Sequence, residues 1–178
     1  MKTALTAILL VLSANVGAVP FLDRSIDFSI DTPKDTKVEK NTTSQGSIVS
    51  MKFRDDKNYE AVTLQAMRIT NGGSFDMPIL SVFTEFIGGM SDRIGTSPIK
   101  PIRTITYLGM TLYVATHLGV NTGSGSPQGI TTVAYFAEKG TWRKMMLLQF
   151  MSDANAAPSD AELLNRFASL KYEPSLSR

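Results

Sequence analysis

The sequence predicts an α+β domain in which an antiparallel β-sheet is covered by helices. Three observations lead there. Apolar and polar residues alternate strictly in several stretches between residues 26 and 69. The segment "SFDMPILSVFTEFIGGM" repeats its apolar residues at helical spacing. The run from Ile102 to Met151 carries four successive strand patterns.

In "IDFSIDTP", Ile26, Phe28 and Ile30 alternate with Asp27, Ser29 and Asp31 until Pro33 stops the pattern, which predicts a half-buried strand. "SIVSMKFR" sends Val49, Met51 and Phe53 to one side and Ser50, Lys52 and Arg54 to the other. Turn residues "DDKN" at 55–58 follow, and then "YEAVTLQAMRI", so these two strands are expected to pair as an antiparallel hairpin. Beyond Asn71-Gly72-Gly73, Ser74 or Asp76 can cap a helix whose apolar face is Phe75, Ile79, Val82, Phe83, Phe86, Ile87 and Met90. Gly88-Gly89 weaken its last turn, and "SDRIGTSPIKP", ending at Pro101, reads as a connecting loop. Leu108-Gly109, the Gly/Ser loop "NTGSGSPQG" at 121–129 and Glu138-Lys139-Gly140 divide the remaining β-rich run into four antiparallel strands. A closing helix begins at Ser159, which with Glu162 forms a capping box, and carries Leu163, Leu164, Phe167 and Leu170 on one face.

The chain has 178 residues. Its start, Lys2 followed by an apolar run from about Ala4 to Val16 and small residues up to Ala18, reads as a signal peptide cleaved after Ala18. The run is shorter than the ~20 apolar residues that span a bilayer. Residues 19–178 are then one domain. There is no cysteine, which removes disulfides, thiol catalysis and thiolate metal sites, and a disulfide-free exported chain fits a bacterial periplasmic or secreted protein. The net charge is only +2 and no basic cluster exceeds a pair, so nucleic acid is not an expected partner.

The sole histidine, His117, precedes the Gly/Ser loop, the place nearest to a chemical signature. A Walker loop would need Lys after its last glycine, a dinucleotide fingerprint would need glycine where Gln128 stands, and a nucleophile elbow would need glycine where Thr122 stands. The segment therefore reads as the tip of a hairpin. His117 shares a strand face with Thr111, Tyr113 and Ala115, and no acidic residue lies between Arg93 and Glu138 to orient it as a base. A packed or surface histidine is the expectation. One histidine and no cysteine also leave no usual zinc ligand set, so neither metal nor cofactor is expected. Trp142 and Arg143 belong to residue types favoured at interface hot spots. With His117 they are the candidate partner-binding residues.

In this order of elements, and in "FSIDTP" at 28–33, the helix at 75–90, "YLGMTLYVATH" around Gly109 and "LLNRFASLKYEP" at 163–174, the chain resembles the PsbP-like superfamily, whose members include DcrB-type bacterial envelope proteins. The likeness covers nearly all of residues 19–178. It implies an α/β/α sandwich and an accessory or binding protein without enzymatic activity, docking on a protein or envelope partner. The chain departs from the family in two places. Lys34-Asp35-Thr36 follow Pro33 where members often carry Trp, and the lipid-bearing cysteine of the DcrB-type proteins is missing. No binding residue is carried over. Two other readings stand beside this one: a small-ligand carrier with a pocket under helix 75–90, and a small hydrolase using His117.

Overall fold

The computed structural model describes residues 18–55, 60–69, 78–94, 97–120, 127–140, 142–152 and 157–176. The signal-peptide expectation falls on residues 1–17, outside the described residues apart from its last residue, Ala18. The helix-capping expectation at Ser74 or Asp76 and the turn after Asp55 lie outside them too.

Nine strands and two helices are described. β1 (Ala18–Asp23) and β2 (Phe28–Pro33) form a two-stranded antiparallel sheet. β3 (Lys37–Thr43), β4 (Gly46–Asp55), β5 (Glu60–Ile69), β6 (Ser97–Tyr107), β7 (Met110–Val120), β8 (Pro127–Lys139) and β9 (Trp142–Ser152) form a seven-stranded antiparallel sheet in the order β3-β4-β5-β9-β8-β7-β6. The expected β4–β5 hairpin is present, with Asp55 opposite Glu60, and β6 to β9 run as the expected four-stranded meander. Leu108 and Gly109 both take positive φ, 50° and 78°, the pair of left-handed residues that a two-residue turn of the right twist requires.

The α/β/α sandwich is not what the chain forms. The fold is mostly β, and its two helices do not make two helical layers. α1 (Ile79–Ile94) places Phe83 and Ile87 against Ala115, Ala134 and Leu147 on one face of the large sheet. The opposite face, with Leu112, Val114, Val133, Met146, Leu148 and Phe150, is covered jointly by the β1–β2 hairpin and α2 (Asp160–Ser169). Phe28 and Ile30 enter that core from β2, and Leu163 and Phe167 enter it from α2. Alternation in 26–33 shows that one side of this strand is buried, but not which neighbour it bonds. Here β2 bonds β1 and the C-terminal segment, through Ser29 and Glu173 (2.9 Å in both directions) and from Asp31 N to Leu170 O (2.7 Å).

Three smaller differences have physical reasons. β3 is absent from the sequence expectation, because all seven of its residues are exposed and an edge strand wet on both faces shows no alternation. α1 continues past Gly88-Gly89 to Ile94, and β6 begins at Ser97 where a loop is expected. Both glycines face open space, so they lower helix propensity without disturbing packing. Pro127 to Gly129, expected in the loop, already pair with β7, Val120 opposite Pro127, which leaves 121–126 as the connection, outside the described residues. The α2 capping box is as expected: the Ser159 hydroxyl accepts from Glu162 N, and the Glu162 carboxylate accepts from Ser159 N.

Candidate functional site

The three residues expected to touch a partner do not come together. His117 pairs with Ile130, which pairs with Met151, so it lies at the end of the sheet away from Trp142. From Met151 to Trp142 along β9 is roughly 30 Å at about 3.3 Å per residue. His117 is 2% exposed and, by alternation with Ala115, faces the side that α1 covers. Burial lowers its pKa, so it is a neutral, packed imidazole at pH 7. Between α1 and the sheet the rings of Phe83, Tyr113 and Phe136 stand 6.0 to 6.3 Å apart and form an aromatic cluster beneath the helix.

Arg143 is buried on the α1 side of β9 and ion-paired with Glu138 of β8. Trp142, its neighbour, is half-buried on the other side, and the Arg68 guanidinium of β5 stacks over its ring at 4.5 Å. Arg68 NH1 in turn donates to Ser25 O at 3.1 Å, in the turn between β1 and β2.

That turn, Arg24 to Asp27, is the most heavily bonded feature of this end of the molecule. The Asp23 carboxylate accepts from Ser25 N (2.8 Å), Ser25 Oγ (2.5 Å) and Ile26 N (3.0 Å), and pairs with Lys40 of β3 (2.6 Å). Burial alone would raise its pKa, but these bonds and the Lys40 charge hold it below the ordinary value. Lys144 of β9, 1% exposed, donates from Nζ to the carbonyl of Asp27 and lies 5.5 Å over the Tyr135 ring. Burial brings its pKa down to about 8; Asp27 opposes that shift and Arg68 adds to it.

Three cations, Lys40, Arg68 and Lys144, thus reach from three strands of the large sheet to one turn of the small one. Sequence reading singles out Trp142 and Arg143, not Lys144, and misses this. The signal is available, since Lys144 is in phase with Met146, Leu148 and Phe150, the inward residues of β9. Among the described residues no group of three or more His, Asp or Glu is placed to hold a metal ion, and no helix is long and apolar enough to cross a membrane.

No family model matches the chain, and no curated protein matches it. Among solved structures it is similar to LpqN of Mycobacterium tuberculosis, described as involved in cell envelope biogenesis, with a TM-score of 0.47 and 14% identity over 86% of each chain. At that level the overlap of chain paths is partial and assigns no activity, and the likeness to the PsbP-like superfamily stays a resemblance.

Proposed function

We propose that the protein is an exported, non-enzymatic accessory protein of the cell envelope that docks on a protein partner through the corner around Trp142. The observation that carries this reading is the Trp142–Arg68 stack at 4.5 Å, half-buried and held in place by the bond from Arg68 to Ser25. An aromatic ring and a guanidinium fixed before contact lose little side-chain freedom on binding, which is the property of interface hot spots. The leader-like start of the chain supports export. The failed nucleotide and nucleophile motifs, with His117 packed inside, support a binding role.

The test is a photo-crosslinking residue at the exposed Lys139, opposite Trp142 in the β8–β9 register, with Thr84 on the outer side of α1 as control position, in cells of the native host. A discrete adduct from position 139 that disappears in Trp142→Ala and in Arg68→Ala is the expected result. No adduct at 139, or one insensitive to both substitutions, overturns the reading.

A further inference from the structure

An edge strand offers unpaired N–H and C=O groups to any other strand that reaches it. The edges of this fold are built differently. β6 carries Pro98 and Pro101, and its register against β7 shifts between Pro98 and Lys100 and again between Lys100 and Arg103. Proline lacks the donor and a bulge bends the strand, so this edge is blunted. In the small sheet β1 contains Pro20, and β2 is bridged on its other side by Glu173 through Ser29. β3 has no such device. It runs without proline or register shift from Lys37 to Thr43, all of its residues are exposed, and among the described residues no strand lies on its outer side. Charged side chains can guard an edge, but Lys37 is paired with Glu39 at 2.8 Å and Lys40 with Asp23 at 2.6 Å.

The backbone parity of this edge is fixed by its hairpin. Thr43 and Gly46 flank a two-residue turn, so they are a hydrogen-bonded pair, and the odd-numbered residues of β3 bond to β4. The N–H and C=O of Val38, Lys40 and Thr42 therefore point outward.

A second copy pairing there antiparallel is related by a two-fold axis that sets one residue opposite itself. With Lys37, Glu39 or Lys40 on the axis, like charges oppose each other, which destabilises a strand pair. With Asn41, Thr42 or Thr43 there, no charge meets its opposite. Val38 on the axis puts Lys37 of each copy opposite Glu39 of the other. It also sets Val38, 36% exposed in the single chain, against its own counterpart.

We propose that the outer edge of β3 is a self-association site, at which two copies pair antiparallel about Val38 and join their large sheets into one. Val38 N–H and C=O exchange bonds with the same groups of the second copy, and Lys40 N–H donates to the Thr36 carbonyl opposite it. Because the other edges are blunted, association stops at two copies. β3 stands three strands from β9 in the sheet, so the proposal is independent of the docking corner at Trp142.

Sedimentation velocity of the exported protein from about 10 μM to about 1 mM reads the dimer, a range suited to a contact smaller than the ~1,200 Å² of stable interfaces. A monomer–dimer equilibrium without larger species is expected. Val38→Pro removes an outward N–H and leaves the bonds to β4 in place, so it weakens dimerisation about tenfold or more while the chain stays folded. Lys37→Glu weakens it severalfold by setting carboxylates opposite each other, and adding Glu39→Lys restores it, a recovery that general damage to β3 would not give. Amide exchange reads the parity: Val38 and Lys40 N–H gain protection as concentration rises, whereas Glu39 and Asn41 N–H are protected throughout. A protein that stays monomeric to about 1 mM, or that grows beyond the dimer, overturns the proposal. So does a Val38→Pro protein that dimerises like wild type, or a charge exchange that fails to recover the loss. Should Val38→Pro fail to fold, the charge exchange decides. No substitution here touches Trp142 or Arg68, so failure leaves the crosslinking result standing.

Discussion

Lys144 Nζ donates to the main-chain carbonyl of Asp27, a residue 117 positions earlier in the chain. The bond ties the central strand β9 to the turn of the β1–β2 hairpin, which makes no backbone pairing with the large sheet. It is made by an ammonium that burial has weakened as a base, and that gives it a signature in pH.

The Lys144 pKa is about 8 in the folded chain and 10.5 ordinarily, so between those values the unfolded chain binds more protons and stability rises with pH. The rise is about 3 kcal/mol if nothing else titrates. Tyr172 acts in the opposite sense. Its pKa is raised above the ordinary 10.0, so from pH 10 upward the unfolded chain loses a proton that the folded one keeps, and stability falls. Urea unfolding at pH 7 to 11 is expected to show stability climbing above pH 8 and turning down beyond 10. In Lys144→Met the climb disappears. A wild-type profile flat from 8 to 10 contradicts the placement of Lys144.

Asp23 governs the acid side. Its carboxylate serves Ser25, Ile26 and Lys40 and sits below its ordinary pKa of 3.8, so the stability it contributes is present above about pH 4 and is lost as pH falls through the folded value. Asp23→Asn is expected to cost roughly 1–3 kcal/mol at pH 7, the range for a buried acceptor that loses its charge and part of its bonding. Lys40 is partly exposed, which keeps the figure below that of a fully buried pair. As pH falls below 3.8 and through the folded pKa the gap in urea midpoint between wild type and variant should narrow, and a gap that does not change with pH would show that the charge is not what matters.

Strands with one wet and one dry face were legible from the sequence. β4 and β5 follow alternation, β7 and β8 were legible as strands from their β-branched and aromatic runs although both faces of their middles are buried, and α2 follows its capping box and the spacing of Leu163, Phe167 and Leu170. What was illegible has two causes. β3 buries neither face, so "KVEKNTT" carries no period at all. The assignment of layers depends on contacts distant in sequence, such as Asp27 with Lys144 and Ser29 with Glu173, which no local pattern encodes. The candidate residues divide in the same way. His117 reads as a packed or surface histidine and is packed, whereas the grouping of Trp142 with Arg68 and Ser25 needs two strands and a turn brought to one corner.

Gly46, at the start of β4, lies opposite Ile69 with φ 154°, and a Cβ built there would stand 2.0 Å from the Arg68 carbonyl oxygen. Backbone cannot yield as a flexible side chain does. Gly46→Ala is therefore expected to push the end of β4 off β5 and to cost about 1–3 kcal/mol, the usual range for overpacking. Because Arg68 moves with its own carbonyl, tryptophan fluorescence from Trp142, the only tryptophan, should shift as well. A Gly46→Ala protein with wild-type stability and an unshifted spectrum would mean that the strand end adapts freely.

Phe83 tests the attachment of α1. It is fully buried and meets Tyr113 at 6.0 Å and Phe136 at 6.3 Å between ring centres, in a small cluster with Ile87, Ala115, Ala134 and Leu147. Ala115 and Ala134 have no side-chain length with which to close over a gap, so truncating Phe83 leaves a cavity that its neighbours fill poorly. Phe83→Ala is expected to cost roughly 3–5 kcal/mol, the range for a buried aromatic. Leu80, one turn away and 49% exposed, provides the control, and Leu80→Ala should change stability by less than about 0.5 kcal/mol. Urea denaturation of the two variants, followed by far-ultraviolet circular dichroism, makes the comparison. If Phe83→Ala loses no more than Leu80→Ala, α1 is not packed through this face. If it loses the full amount with an unchanged dependence on urea, the helix and sheet unfold together and Phe83 is the residue that joins them.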